Sequence, residues 1–273
     1  MIRVILLLLM LSIPVIARQE NSEIDRLIAQ VWEYYEKGRY LKMKELSQTI
    51  LEKSKEAGYP KGIAEGYYYL GVAYYSIGDR AKALEYANRA LEFTDRYKNY
   101  RWRTYAITLA GEILRSLRRY DEALSQFKKA LEVIKENNNK KMLPAGYVNV
   151  ANIYYEMGDF KKALQYYRKG YDSARNIELR KSYLALTAYN LGLINYRMKK
   201  YPKAVKYLEE AHRIYLEIGD TTSTAQSAYY MAKGLYRQGK KNEALTVLQT
   251  NIEIARKAGL WKQYRRLIKK IKN

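Results

Sequence analysis

The sequence predicts an all-α protein built from repeated helix pairs. Segments with one common pattern recur about every 40 residues along the chain. Within them, apolar residues are spaced three and four apart, which is the period of one helix face. Only 4 prolines and a charged fraction of 29% favour long, solvated helices. The chain contains no cysteine, so neither disulfides nor thiolate metal ligands are available.

Residues 1–17 have the features of a secretory signal peptide. Arg3 supplies a positive charge, and a run of mostly apolar residues extends from Val4 to Ala17. This order predicts cleavage after Ala17 and an exported protein, periplasmic or secreted, that begins at Arg18. An uncleaved membrane anchor and a buried first helix are the alternatives. The run is shorter than the roughly 20 apolar residues that span a bilayer, which favours the signal peptide.

Six repeat units follow the signal peptide. Their predicted limits are 24–63, 64–103, 104–143, 144–184, 185–224 and 225–258. Each unit contains a first helix, a tight turn and a second helix, and in the second unit Gly78 lies at the turn. Glycine supplies the backbone freedom that a tight turn needs. Arg118 and Lys199 take this place in units three and five, so glycine is not obligatory there.

Small residues recur at a fixed phase of both helices. They are Gly71, Gly111, Ala151, Gly192 and Ala232 on the first helices and Ala83, Ala123, Ala163, Ala204 and Ala244 on the second helices. A large side chain at these places would separate the helix axes by more than the roughly 8–10 Å of packed helices. We therefore predict that each helix pair makes its closest contact here. The first unit departs from the pattern, with Val31, Met43 and Ile50 at the small positions.

The repeated pattern resembles that of the tetratricopeptide repeat family. The second unit reads Tyr67-x2-Leu70-Gly71-x2-Tyr74 followed by Ala83, and the likeness extends over all six units. It implies a right-handed superhelical solenoid whose first helices line a concave groove for a protein or peptide. The family's unit is about 34 residues and usually ends with proline. Proline is absent at that place here, so we expect longer second helices that end at the residues Gly58, Asn138, Gly219 and Gly259.

Residues 259–273 are predicted to form a basic amphipathic capping helix. The apolar residues of one face are Trp261, Tyr264, Leu267, Ile268 and Ile271. Six Lys and Arg residues and no acidic residue accompany them between residues 262 and 272. The apolar face is suited to cover the last repeat. Contact of the cationic face with an anionic membrane is the alternative use of this helix.

The family resemblance places candidate partner-binding residues on the groove side of the first helices. These residues are Tyr68, Tyr75, Arg115, Asn152, Tyr155, Tyr189, Tyr196, Arg197, Tyr229, Lys233, Tyr236 and Arg237. Tyrosine combines a large apolar ring with a polar hydroxyl, which suits recognition of an extended peptide. Packing between repeats is the alternative for any single tyrosine. Trp32, Tyr35 and Glu112 share this face, and the cations Arg197, Lys233 and Arg237 make its C-terminal part basic.

The sequence predicts a binding protein rather than an enzyme. His212 is the only histidine, lies within a helical segment and is expected to be structural. No phosphate-binding glycine loop is present, and we expect neither a cofactor nor a metal ion. The net charge of +22 favours a protein or peptide partner with an acidic segment. Nucleic acid is not expected for an exported protein. Peripheral attachment to anionic lipid and the sensory half of a signalling protein are the alternatives, and the oligomeric state stays open.

Overall fold

The structure, a computed structural model, describes residues 22–96, 98–175 and 181–273. The predicted signal peptide and its cleavage site lie outside the described residues. The helices in the described part are α1 (22–36), α2 (Tyr40–Glu56), α3 (Pro60–Ile77), α4 (Arg80–Arg96), α5 (Tyr100–Ser116), α6 (Tyr120–Glu136), α7 (Leu143–Glu156), α8 (Phe160–Arg175), α9 (Lys181–Arg197), α10 (Tyr201–Glu217), α11 (Thr221–Arg237), α12 (Lys241–Thr250), α13 (Ile252–Lys257) and α14 (Trp261–Lys272). The prediction of an all-α chain of helix pairs is confirmed.

The chain divides into two compact parts, each larger than one repeat. We call the part that ends at Val133 unit 1 and the part that begins at Ile134 unit 2. Within each unit, helices that follow one another in the sequence pack together. The first helices of adjacent repeats also lie side by side: α3 contacts α5 in unit 1, and α9 contacts both α7 and α11 in unit 2. Residues on one face of these first helices are thereby brought close together, although about 40 residues separate them in sequence.

The small residues lie at the close contacts between helices. Ala83, Ala163 and Ala204 are fully buried on the second helices. A Cβ atom added to Gly192 would lie 2.5 Å from Cγ of Leu208 and 3.3 Å from the carbonyl oxygen of Ala204. Only a residue without a side chain fits there unless the two helices move apart. The predicted role of the small residues is confirmed.

In the first repeat, larger side chains complete the packing. Val31, Met43 and Ile50 are fully buried and share one core cluster with Ile24 and Tyr69. Their larger side chains occupy the space between the helices of the first repeat. In later repeats, alanine or glycine stands at these positions and the helix backbones lie closer together. The departure of this repeat from the family pattern therefore does not interrupt the core.

The turns require left-handed backbone at the predicted places. The φ angle is 101° at Gly78, 59° at Arg118 and 59° at Lys199. The predicted ends of the second helices behave alike, because Gly58, Asn138, Gly219 and Gly259 all have positive φ angles. In the second repeat this conformation falls on Lys98, with φ of 51°. Non-glycine residues in this region carry a conformational cost, which the packing of the flanking helices must offset.

The second helices are long in repeats one to five, as the missing proline predicts. Helices α2, α4, α6 and α10 each contain 17 residues. The last repeat differs, because its second helix is broken between α12 and α13 at the buried Asn251. The Asn251 side-chain amide donates to the carbonyl oxygen of Val247 at 2.9 Å. Such a side-chain bond competes with the backbone hydrogen bonds of a helix. The repeat pattern of the sequence did not predict this break.

Helix α14 caps the last repeat. Tyr264, Leu267 and Ile271 are buried in one cluster with residues of α11 and α12. The Tyr264 hydroxyl donates to the carbonyl oxygen of Ala225 at 2.8 Å, which fixes α14 against α11. The prediction of a C-terminal capping helix is confirmed.

The predicted repeat limits fall inside helices. Four predicted repeats begin four residues after the first residue of their first helix. These predicted first residues are Ala64 in α3, Thr104 in α5, Ala185 in α9 and Ala225 in α11. The predicted limits coincide with residues that pack between helices, and the first turn of each helix precedes these residues. Within the described residues, no helix combines the length and the apolar character that crossing a bilayer requires.

Candidate functional site

In unit 1, two predicted binding tyrosines are half-buried and pack against neighbouring side chains. The ring of Tyr68 lies 5.3 Å from that of Trp102 and 5.5 Å from that of Tyr69, and burial raises the pKa of Tyr68 to about 12. Tyr75 packs against the core cluster that contains Ala83 and Leu109. These tyrosines stabilise the repeats, and only part of each ring is accessible to a partner.

Arg115 is the cation among the predicted partner-binding residues of unit 1. The structure pairs it with Glu112 on the same helix, with 2.7 Å between its Nη2 atom and Oε2 of the carboxylate. The two residues are three apart, a spacing at which helical side chains meet. The expectation of an available Arg115 charge is therefore corrected. The ion pair balances the charge of Arg115 and leaves Trp32 and Tyr35 as the exposed aromatic residues of this face.

In unit 2, Lys233 lies among three tyrosine rings. Its Nζ atom is 5.0 Å from the ring centre of Tyr230, 5.2 Å from that of Tyr196 and 5.4 Å from that of Tyr229. All three distances are within the range of a cation–π interaction. We call Tyr196, Tyr229, Tyr230 and Lys233 the Lys233 cluster. Three of the four residues were predicted, and Tyr230 was not assigned to the binding face.

Further cations surround the Lys233 cluster. Burial lowers the pKa of Lys233, and the charges of Arg197, Arg237 and Lys270 lower it further. Among the described residues, none of these four cations forms an ion pair with a carboxylate. Arg197 instead donates from Nε to the Tyr155 hydroxyl at 2.8 Å. The cluster is therefore a place where positive charge is concentrated, partly desolvated and not neutralised.

Lys270 belongs to the capping helix α14 and is not one of the predicted residues of the binding face. Its charge acts on Lys233 because α14 packs directly on α11 and α12. The predicted binding face consists of residues of the first helices, and the basic C-terminal helix is predicted separately as a cap. The structure joins them electrostatically at Lys233.

The remaining predicted residues of unit 2 are held by internal contacts. Asn152 accepts a hydrogen bond from the Tyr167 hydroxyl at 2.7 Å. The Tyr189 ring is half-buried, and burial raises its pKa. Tyr236 packs against the core of the last repeats, and a hydrogen bond with Tyr196 raises the pKa of the neighbouring Arg237. Of these residues, Arg237 is the exposed one.

His212 lies half-buried on α10, with Nδ1 at 3.2 Å from the carbonyl oxygen of Thr224. This contact joins α10 to α11 and gives the histidine a structural role. Within the described residues, no group of three or more histidine, aspartate or glutamate side chains could hold a metal ion.

Two family models match the chain. The model of the MalT-like TPR region covers residues 23–215, and a tetratricopeptide repeat model covers residues 183–257. The chain belongs to the tetratricopeptide repeat (TPR) family. It is also 27% identical over 212 residues to response regulator aspartate phosphatase I of Bacillus subtilis (strain 168), an alignment that covers 74% of this chain and 53% of the relative. The chain thus spans about half the length of this relative.

Solved structures share the fold. BtubC from P. vanneervenii superposes with a TM-score of 0.68 and 18% identity, covering 86% of this chain and 92% of that protein. The Rap conjugation gene regulator of plasmid pLS20, solved in complex with the Phr* peptide, superposes with a TM-score of 0.63 and 18% identity, covering 91% of this chain and 72% of that protein. At this identity, the likeness establishes the TPR fold of the chain.

Proposed function

We propose that this TPR protein is a scaffold that binds an acidic segment of a peptide or protein partner at the Lys233 cluster. The single observation that carries the proposal is the group of cations Arg197, Lys233, Arg237 and Lys270, which have no carboxylate partner among the described residues. A carboxylate bound there would relieve the mutual repulsion of these charges. Because the cluster is partly desolvated, this attraction is stronger than at an exposed surface.

The tyrosine rings supply the apolar part of the proposed contact. Tyr196 and Tyr229 are half-buried, so each offers part of its ring to a partner while the rest packs on the core. Buried aromatic residues are the usual hot spots of protein interfaces. We therefore expect the preferred segment to place an aromatic or aliphatic residue next to its acidic residues. The Rap regulator that was solved with a peptide supports a peptide as the partner class.

The proposal is tested with a fluorescent peptide that contains adjacent aromatic and acidic residues. Lys233→Glu is expected to weaken binding mainly through slower association and to reduce its salt dependence. Tyr196→Ala is expected to speed dissociation at a cost of about 2 kcal/mol. Lys203→Glu is the matched control, because Lys203 is exposed on α10 and is not part of the cluster. Equal losses for Lys203→Glu and Lys233→Glu would refute a specific site.

The competing proposal is attachment to anionic lipid through the capping helix. The exposed cations Lys262, Arg265, Arg266 and Lys269 of α14 favour it. Vesicles that contain anionic lipid separate the two functions. Lys262→Glu combined with Arg266→Glu should abolish vesicle binding if the helix is a membrane surface, and should leave peptide binding nearly unchanged if the Lys233 cluster is the site.

We also propose that the chain is exported, since residues 1–17 have the order of a signal peptide. The N-terminal residue of the purified mature protein is then Arg18 or lies within a few residues of it. Recovery of intact Met1 from a cytoplasmic fraction would refute export.

We infer that the chain acts by binding and not by catalysis. The one histidine, His212, already contacts the carbonyl oxygen of Thr224. The B. subtilis relative is named a phosphatase, and this chain covers about half of it. The purified chain should therefore not accelerate loss of phosphate from a phosphorylated response regulator. An accelerated loss that depends on the protein concentration would contradict this inference.

A further inference from the structure

Unit 1 contains an aromatic pocket that adds Tyr69, Trp102 and Tyr105 to Trp32 and Tyr68 of the binding face described above. Its walls are the rings of Trp32, Tyr68, Tyr69, Trp102 and Tyr105. The residues come from α1, α3 and α5, which are the first helices of three successive repeats. The cavity has a volume of about 440 Å³, which is within the range of sites for small ligands. We call it the aromatic pocket.

The rings of the aromatic pocket support one another. The Tyr69 ring lies 6.0 Å from that of Trp32 and 5.9 Å from that of Trp102, both at nearly perpendicular angles. The Tyr105 ring lies 5.3 Å from that of Trp102. These edge-to-face contacts hold the walls in place without a ligand. A pocket whose walls are fixed in advance loses little conformational entropy on binding.

A buried carboxyl group also lines the aromatic pocket. Glu65 is 3% exposed, and a hydrogen bond from the Trp102 side chain offsets only a small part of the effect of this burial on its pKa. A carboxylate has about four positions that accept hydrogen bonds. Burial raises the pKa of Glu65 to about 7. A buried carboxyl group with spare acceptor capacity is costly for folding and is stabilised by a cation that enters the pocket.

Two cations lie at the edge of the pocket, and neither forms an ion pair with Glu65 in the described part of the chain. Lys61 pairs with Asp25 at 2.9 Å, so its charge is balanced. The Arg101 side chain lies over the Tyr105 ring, 5.8 Å from its centre. Among the lining residues in the described part of the chain, Arg101 is therefore the cation without a carboxylate partner, and it would repel a bound cation.

We propose that the aromatic pocket binds an organic cation of the alkylammonium class, with Glu65 as its counter-charge. The rings attract the cation through their π faces, an interaction that strengthens when water is excluded. The carboxylate of Glu65, which lines the pocket, balances the charge of the cation. The aromatic pocket and the Lys233 cluster share no residue, and the proposed ligands have opposite charges. The two proposals are therefore tested independently.

The test measures binding of the tetramethylammonium ion to the full chain by tryptophan fluorescence. The chain has three tryptophans, and in a Trp261→Phe background the remaining two, Trp32 and Trp102, both line the aromatic pocket. Neutral tert-butanol, which has a similar shape, is the control ligand. We expect saturable quenching by tetramethylammonium and none by tert-butanol at the same concentrations. Equal effects of the two would overturn the proposal.

Variants test the two charges in opposite directions. At pH 8, Glu65→Gln is expected to weaken tetramethylammonium binding at least tenfold, and Arg101→Gln is expected to tighten it. The control is Glu85→Gln, since Glu85 is an exposed residue of α4 that pairs with Arg89 and does not line the pocket. Unchanged affinity in Glu65→Gln would overturn the proposal, as would weaker binding in Arg101→Gln.

The pH dependence provides a test on the unmutated pocket. Tetramethylammonium keeps its charge at every pH, so a change in affinity reports on the protein. The charged groups that face Glu65 are Lys61 on its own helix, Asp25 on α1 and Arg101 on α5. Burial raises the pKa of Glu65 to about 7, so deprotonation of Glu65 should raise the affinity about tenfold from pH 6 to pH 8. A flat profile over this range would contradict the role of Glu65.

Discussion

Replacing Glu65 by glutamine should stabilise unit 1 at pH 8 much more than at pH 5. Burial raises the pKa of Glu65 from 4.5 to about 7, because its charged form loses hydration that Trp102, Lys61 and Arg101 replace only in part. The folded chain therefore holds this proton more tightly than the unfolded chain. The stabilisation that results is complete below pH 4.5 and is lost as the pH rises through about 7.

The size of the effect follows from the same shift. One pKa unit corresponds to about 1.4 kcal/mol, so the rise from 4.5 to about 7 amounts to about 3 kcal/mol at most. The stability difference between Glu65→Gln and the parent chain should accordingly grow by about 2–3 kcal/mol between pH 5 and pH 8. The glutamine keeps the shape of the side chain and can still accept a hydrogen bond from Trp102.

Urea unfolding followed by tryptophan fluorescence measures this difference. The Trp261→Phe background confines the signal to Trp32 and Trp102, so the transition reports on unit 1. Glu85→Gln on the exposed side of α4 serves again as the control, against which the difference for Glu65→Gln is compared. A difference between Glu65→Gln and its parent that stays constant from pH 5 to pH 8 would refute the reasoning, because Glu65 would then be no less hydrated than a surface carboxylate.

Two further substitutions test the account of the fold. Ala163→Leu should destabilise unit 2 by about 1–3 kcal/mol, because Ala163 is fully buried between two helices, whereas Ala81→Leu on the exposed side of α4 should be nearly neutral in thermal melts. Equal effects would contradict the assigned helix contact. Lys199→Gly should stabilise the chain by up to about 1 kcal/mol, since φ is 59° at Lys199, whereas Lys200→Gly should destabilise it, since φ is −86° there. Unfolding in urea checks the signs, and destabilisation by Lys199→Gly would refute the proposed strain.

Most of the fold could be predicted from the sequence because the same packing requirement, a small residue at the close contact of two helices, recurs in successive repeats. Gly111 and Gly192 lie at the same phase, and both leave room for a large side chain of the second helix. Six repetitions make such a pattern visible above the chance occurrence of small residues. The helix break at Asn251 has no counterpart at the same place in the repeat pattern of the sequence. An asparagine within an apolar pattern does not by itself predict a broken helix, so the break was not predicted.

The binding face could be predicted only in part, because its properties depend on contacts between repeats. The pairing of Arg115 with Glu112 could have been predicted from their spacing on one helix. Tyr229 and Tyr230 lie four and three residues before Lys233 on α11, so their proximity to Lys233 could also have been predicted from the spacing. The position of Tyr196 beside Lys233 depends on how α9 packs against α11, which the periodicity of one helix does not specify. The aromatic pocket combines Trp32, Glu65 and Trp102 from three repeats, and nothing in their local sequence relates one to another.

Lys233 itself offers the most direct test of the proposed binding site. NMR of the chain with isotope-labelled lysine follows the side-chain signal of Lys233, assigned by its loss in Lys233→Arg. In the free protein its pKa should lie below the ordinary value of 10.5, because of burial and the charges of Arg197, Arg237 and Lys270. Binding of a peptide with adjacent acidic and aromatic residues should raise the pKa of Lys233, since a carboxylate stabilises the charged form. A saturated complex in which the pKa and chemical shift of Lys233 stay unchanged would contradict the account.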